Sequence, residues 1–304
     1  MKVLASFVMR GQAQAVLVTT VFAMLAPFFP LIGLFSSACV ALVTLRQGGS
    51  AGIKTLLLST LASGLLMGLI VGTPMPALGL LLILWLPMVL LGALLRNTRS
   101  LDLSVQAGMG LGFITIVVQY LSMGGNPAGF WKTYLEPMGQ RFIEAGLIDA
   151  EQSTEVIAQL SNMMCGMMAV AVVLQTVFSL FLARWWQALL YNPGGFGEEF
   201  RSLRLHPAVG VLGGAALALG LLPEGSVPDF VRCLGMVFLG TLFVQGLAVM
   251  HGVFKQMRSA QLWLVLAYLT LIIFMPQMAL LLIGLGLADI WVDFRTRFDS
   301  SKQG

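Results

Sequence analysis

The sequence predicts an all-α protein, a polytopic transmembrane helical bundle with about eight to ten membrane segments in hairpins. Three observations predict it. Of the 304 residues, 58% are hydrophobic and only 10% are charged, whereas soluble domains carry about 25% charged residues. The mean hydropathy is +0.91. Lys and Arg residues stand at the ends of long apolar runs, as membrane topology requires, so the net charge of +4 does not indicate a nucleic-acid partner.

Ten apolar segments follow one another along the chain. Proline inside a helix removes a hydrogen bond and clashes with the preceding turn, so PFFP at 27–30, TPMP at 73–76 and Pro276-Gln277 are predicted hairpin tips. The segments are residues 12–27, 30–45, 53–72, 77–95, 103–123, 163–190, 209–222 and 230–250, and the two arms of 262–290. Arms of about 15 residues reach only about 22 Å, so the arms in 12–45 and 262–290 either span the bilayer or are re-entrant.

The stretch 124–160 interrupts this pattern. Asn126-Pro127 is a typical helix start, with an Asn cap and proline in the first turn, and residues 149–152 resemble a capping box for a second helix. Apolar side chains recur at roughly helical spacing among acidic ones. We therefore expect amphipathic interfacial helices near 127–160, lying at the outer membrane surface. The alternative is a lid over a binding cavity.

The chain is interpreted as one integral membrane domain, 1–304. Front helices in 1–190 include the outer insertion at 124–160, and a cytoplasmic loop at 191–207 leads to the back helices in 208–304. Folding every segment into a hairpin puts 14 of the 17 Lys and Arg on one side. The three on the other side are Lys132, Arg141 and Arg232. Because cytoplasmic loops are rich in Lys and Arg, both termini are predicted to be cytoplasmic, in a bacterial inner membrane.

Polar side chains in or beside the apolar segments are candidates for a cavity or a proton relay, because ionisable groups near membrane depth are often functional. The candidates are His251, Asp289, Asp293, Gln245 and Gln277. The histidine and the two aspartates would form the relay, and the glutamines would line a cavity between interrupted helices, as in transporters. Alternatively, the aspartates pair with Arg295, Arg297 or Lys255. The ligands are too few to predict a metal site.

The cytoplasmic loop is the most highly charged short run among the apolar segments. Its candidate docking residues are Glu198, Glu199, Arg201, Arg204 and His206. The two arginines could bind lipid head groups or a protein partner, and a solvated charge patch is the alternative. Glycines precede Glu198, but no Lys-Ser/Thr follows and two carboxylates would repel an anion, so a phosphate loop is not predicted.

Small residues and cysteines have ordinary structural explanations. Glycine recurs every fourth residue at positions 64, 68 and 72, 108 and 112, and 210 and 214. This spacing lets helix backbones approach closely, either inside the bundle or at a moving or homodimer interface. Three single cysteines are predicted packing thiols. No catalytic set and no Walker or Rossmann signature occurs, so we predict no enzyme, no catalytic residue, no cofactor and no metal.

Three stretches carry a family resemblance. GFGEEFRSLRLHP at 195–207, His251-Gly252 and LGLADIWVDFR at 285–295 resemble the YybS-like family of predicted bacterial multi-pass membrane proteins, whose function is unknown. That family is distantly similar to substrate-binding subunits of energy-coupling-factor transporters. The resemblance implies a membrane-embedded helical fold and assigns no site residue. Those subunits carry AxxxA contacts toward the coupling subunit, and this chain contains no AxxxA.

Two functions follow as hypotheses. The first is small-solute binding or transport without an ATPase of its own. The second is a non-transporting scaffold or assembly factor that docks a protein partner through 194–206. A mid-membrane polar cavity lined by Gln119, Gln175, Gln245 or Gln277 would favour transport, whereas a filled core with a basic inner face would favour the scaffold. In both cases the bilayer itself is a partner.

Overall fold

The computed structural model describes residues 1–223 and 225–296, in which all regular structure is helical. The helices are α1 (Lys2–Val8), α2 (Gln12–Leu25), α3 (Ile32–Gln47), α4 (Gly49–Ile70), α5 (Pro76–Gly79), α6 (Leu86–Thr98), α7 (Leu101–Ser122), α8 (Pro127–Glu144), α9 (Ala150–Tyr191), α10 (Gly195–Ser202), α11 (Pro207–Gly220), α12 (Asp229–Lys255), α13 (Ala260–Ile273) and α14 (Met275–Val292). A π-helical stretch, Leu80–Trp85, joins α5 to α6. Arg297 and Lys302, which enter the charge count above, lie outside the described residues.

Six helical units are long and apolar enough to cross a bilayer, which confirms the polytopic helical fold class. They are α4, the continuous unit from α5 to α6, α7, α9, α12 and α14. A seventh results if α10 and α11, bent by 58°, form one broken span. The remaining predicted segments are the shorter apolar helices α2, α3 and α13.

Helix α9 is the element around which the others pack, with α3, α7, α8 and α12 all against it. Its 42 residues extend about 63 Å, roughly twice the bilayer core of about 30 Å, so one end must project from the membrane. The predicted capping box is present, since Gln152 N donates to Asp149 Oδ1 at 2.7 Å. The expected boundary between an amphipathic helix and a separate span at 163 is absent, because no proline or glycine interrupts residues 150–165.

One end of the bundle collects the basic helix ends, and we call it the basic end. Arg96 Nη1 donates to Leu45 O at 2.7 Å, which joins the ends of α6 and α3. Arg46 lies 4.1 Å from the ring centroid of Tyr191 at the end of α9. Gln256 Nε2 donates to Arg295 O at 3.0 Å, which joins the ends of α12 and α14. These contacts bring the ends of α3, α6, α9, α12 and α14 together at one end of the bundle.

The opposite end holds the α8–α9 pair and the start of α12. Trp131 Nε1 on α8 donates to Gln119 Oε1 at 3.3 Å, and Gln119 Nε2 donates to Cys165 O at 3.1 Å. The Tyr120 and Phe230 rings meet edge to face at 5.2 Å. The three cations counted on the far side therefore belong to helices at this end.

The predicted hairpin within 262–290 breaks at Phe274, between α13 and α14. Pro276 falls in the first turn of α14, where its missing N–H removes no helical bond. Ring contacts between Trp263 and Phe254 place the start of α13 beside the end of α12. Both outer ends of this helix pair therefore lie at the basic end, as a hairpin requires, and Gln277 is exposed rather than buried in a cavity.

Most of the glycine motifs mediate packing inside the bundle. A Cβ at Gly112 would meet Val173 and Val237, and one at Gly210 would meet Ile290. Gly68 differs, because a Cβ at this position would have no neighbouring atom within 4 Å. The closest approach of two helix backbones falls outside the motifs, where α12 crosses α14. A Cβ at Gly246 would overlap Leu282 O, and one at Gly286 would overlap Leu242 O.

The α12–α14 crossing gives a matched test within one helix. Gly286→Ala should destabilise the protein by about 1 to 3 kcal/mol, because the added methyl meets backbone that cannot move aside. Gly284→Ala should leave stability unchanged or raise it by up to about 1 kcal/mol, because that position faces open space and Ala favours a helix. Thermal unfolding in detergent measures both. Equal melting temperatures for the two variants would contradict the close crossing.

Candidate functional site

Polar side chains at the basic end fasten the charged loop to the helix bundle. Three ion pairs occur among the described residues: Arg184–Glu199, Arg204–Asp293 and Arg295–Asp289. The first pair joins α9 to α10, and the second joins the loop to the residue that follows α14. The third stabilises the turn of the chain after α14. Backbone N–H groups contribute as well, since Arg204 N donates to Asp102 Oδ1 at 2.9 Å. The loop is thus a packed part of the bundle.

Asp289 is the most deeply buried charge at this end, with its side chain fully inaccessible. Its Oδ2 accepts from Arg295 Nη2 at 2.6 Å and its Oδ1 from Phe294 N at 3.0 Å. Arg295 Nη1 also donates to Arg201 O at 2.7 Å and Leu203 O at 2.9 Å. A buried carboxylate is tolerated only when it is paired and hydrogen-bonded, and these contacts meet that condition. The same guanidinium therefore holds α14 and the loop together.

Gln245 provides a second tie in the same region and is 0% exposed. Its Nε2 donates to Gly286 O at 3.0 Å, and its Oε1 accepts from Leu205 N at 2.8 Å. One amide thereby satisfies a carbonyl at the α12–α14 crossing and an N–H in the loop. Its hydrogen-bonding groups are used within the protein, so they are not presented to a cavity.

The predicted relay residues fall into two groups. His251 Nδ1 lies 2.9 Å from Leu247 O, and its Nε2 lies 3.4 Å from Tyr268 Oη. Within the described part of the chain, no contact joins His251 to either aspartate. Asp289 pairs with Arg295, as the alternative interpretation held, while Asp293 pairs with Arg204. A direct proton path from the histidine to the aspartates is therefore not formed here.

The five docking candidates also divide between structural and exposed roles. Glu199 and Arg204 form ion pairs, and the Arg204 guanidinium lowers the pKa of the Asp293 carboxyl from its usual value. His206 caps α11, because its Nδ1 accepts from Ala208 N at 3.2 Å. Glu198 and Arg201 instead line surface grooves. Arg204 remains 49% exposed, so it can be reached by a partner without breaking the fold.

Two grooves open beside this loop. The first, which we call the aromatic groove, has a volume of about 700 Å³ and lies between α9, α10, α12 and α13. Its aromatic side chains are Phe178, Phe181, Trp185, Phe196, Phe200 and Tyr268, and its ionisable ones include Glu198, Arg201, His251 and Lys255. The second groove, of about 550 Å³, shares Arg201 and Lys255 and reaches Arg204, Asp293 and Arg295. The loop could be identified from the sequence, but the aromatic wall could not, because its rings come from different helices.

A third cavity lies toward the opposite end, between α9, α11 and α12, with a volume of about 450 Å³. Its lining is mostly apolar, with Asn162, Asp229 and Arg232 as polar members. The only sequence signal near it is the Pro- and Gly-containing turn at 223–229. Cys165 and Cys233 are neighbours close to this cavity. No sequence signal indicates this proximity, because the two cysteines are far apart along the chain.

The glutamines proposed to line a mid-membrane cavity do not meet. Gln119 and Gln245 are buried and hydrogen-bonded to protein groups. Gln175 Nε2 lies 3.4 Å from Ser37 Oγ, also within the protein. Helix α8 lines none of the three cavities above, so none of them gives it the position of a lid.

The buried and exposed ion pairs give contrasting predictions. Asp289→Asn should cost about 3 to 5 kcal/mol, because it leaves the Arg295 guanidinium without its counter-charge in a buried setting. Asp293→Asn removes a carboxylate from an exposed pair and should cost less than about 1 kcal/mol. The melting temperatures of the two purified variants test this order. A reversed order would mean that the buried pair does not hold the loop.

Comparison with known proteins places the chain in a family. No curated protein and no solved structure matches it. A family model described as predicted membrane protein (DUF2232) matches residues 17–290. That match covers most of the 304 residues, so the chain belongs to the DUF2232 family of predicted membrane proteins.

Proposed function

We propose that this protein is a non-transporting membrane scaffold that docks an acidic protein partner at its basic end. The main support is that Gln119, Gln175 and Gln245, the polar side chains suited to a central solute cavity, bond to protein groups. Among the described residues, these glutamines therefore line no shared polar cavity, which argues against transport through the bundle. The basic end instead presents several cations to solvent.

The exposed cations at this end support an acidic partner. Arg46, Arg99, Lys255 and Arg258 are exposed, and none forms an ion pair with a described acidic residue. Complementary charge steers a partner to such a face and sets its orientation. The internal ion pairs of the loop keep this surface in place, so the partner would bind a preformed face and not a loose loop.

We also propose that the basic end faces the cytoplasm of a bacterial inner membrane. The excess of Lys and Arg at this end supports that orientation, because short loops rich in these residues remain cytoplasmic. Helix α8 and the first turns of α9 would then project on the other side.

Cysteine labelling tests the orientation. Asn97→Cys, exposed at the basic end, should react with a membrane-impermeant maleimide only after the inner membrane is opened. Glu136→Cys, exposed on α8, should react in intact spheroplasts. The native Cys39, Cys165 and Cys233 are buried, so the unsubstituted protein provides a low background. Labelling of Asn97→Cys in intact spheroplasts would reverse the proposed topology.

Charge removal tests the docking face. A photo-crosslinker placed at Asn97 should capture an acidic protein in cells. The crosslinking yield should fall several-fold in the double variant Arg99→Asn with Arg258→Gln, because two exposed cations are lost. Asn replaces Arg99 because it tolerates the left-handed backbone at this position. Lys132→Gln with Arg141→Gln, at the opposite end, is the matched control. Equal yields from both double variants would contradict docking by charge.

Solute binding without an ATPase of its own is the second candidate, and the apolar cavity of about 450 Å³ near Asp229 and Arg232 favours it. A solute with an apolar body and one charged group would fit such a lining. A metabolite that raised the melting temperature of wild type but not of Arg232→Gln would support this function over the scaffold.

A further inference from the structure

We propose that the aromatic groove binds one anionic phospholipid, with the phosphate beside Arg201 and Lys255 and an acyl chain along α9 and α12. This inference does not depend on the scaffold function, although the groove and the protein-docking face share Lys255. It rests on three properties of the groove: its gradient from apolar to cationic, its unpaired cations and its position at the basic end.

The gradient runs along the membrane-spanning helices. On α12, Leu247 lines the inner part of the groove and Lys255 its mouth, a separation of about 12 Å along the helix axis. On α9, Phe178 and Leu182 lie deeper than Leu189. An amphiphile whose apolar chain joins a charged head over this distance matches the lining, whereas a free anion would leave the apolar part unused.

The cations at the mouth have no acidic partner among the described residues. The ion pairs of the basic end use Arg184, Arg204 and Arg295, which leaves Arg201 and Lys255 available. Glu198 is the one carboxylate that lines the groove in the described part of the chain, so these three side chains carry a net positive charge. Basic pockets between transmembrane helices near the cytoplasmic surface suit anionic head groups.

The remaining polar groups of the groove fit an interfacial position. Tyr268 is 40% exposed, and its hydroxyl group lies 3.4 Å from His251 Nε2, so these two side chains give the groove wall a polar part. Trp185 lines the groove at the same end of α9. Tyr and Trp are enriched where hydrocarbon meets head groups, which places the head of a bound lipid at this level.

Native mass spectrometry of delipidated protein tests the site with phosphatidylglycerol, phosphatidylcholine and inorganic phosphate as probes. Wild type should retain phosphatidylglycerol several-fold more than phosphatidylcholine. Arg201→Gln with Lys255→Gln should abolish that preference. Arg258→Gln, which also removes an exposed cation but does not line the groove, should keep it. Equal retention of the two lipids by wild type would overturn the proposal.

Further measurements distinguish a lipid head group from free phosphate as the bound anion, and they show whether each variant is folded. Displacement of phosphatidylglycerol by inorganic phosphate would show a plain anion site and overturn the lipid assignment. Leu182→Trp fills the apolar part without changing charge and should also reduce lipid retention. Melting temperatures in phosphatidylcholine identify which variants are folded. Undiminished phosphatidylglycerol retention in either folded groove variant overturns the proposal, and its loss in the folded variants supports it.

Discussion

The arrangement of the basic end depends on one buried ion pair, Asp289 with Arg295. A carboxylate in this position would be costly alone, and the guanidinium that neutralises it is also the donor to two loop carbonyls. The ion pair and the hydrogen bonds to the two carbonyls therefore stabilise the same conformation of the loop. The loop is held against α12 and α14, and the grooves beside it keep a defined shape because their floor cannot move independently.

Much of the fold followed from composition and proline positions. Hydrophobic runs separated by PFFP and TPMP predicted helix positions close to those observed, because lipid admits few alternatives to a hydrogen-bonded helix. The continuity of α9 was missed, because an amphipathic stretch and an apolar stretch were interpreted as two helices although no proline or glycine separates them between residues 150 and 165. The π-helical stretch before α6 had no recognised sequence signal.

The candidate site was harder to derive because a sequence shows polar residues without their partners. Gln245 looked suited to a cavity, yet it bridges Gly286 and Leu205, which are distant in sequence. Arg204 and Glu199 looked free for docking, yet each finds an opposite charge contributed by another part of the chain. The aromatic groove combines side chains from α9, α10, α12 and α13, so only their three-dimensional proximity reveals it.

The continuity of α9 has a mechanical consequence. The helix contains no proline, and long helices without such a break curve only gently. Its first turns pack with α8 outside the span, and Arg184 near its other terminus holds Glu199. Tilting the projecting part would therefore displace the surface on the far side, so the protein contains a rigid rod that can relay movement across the bilayer.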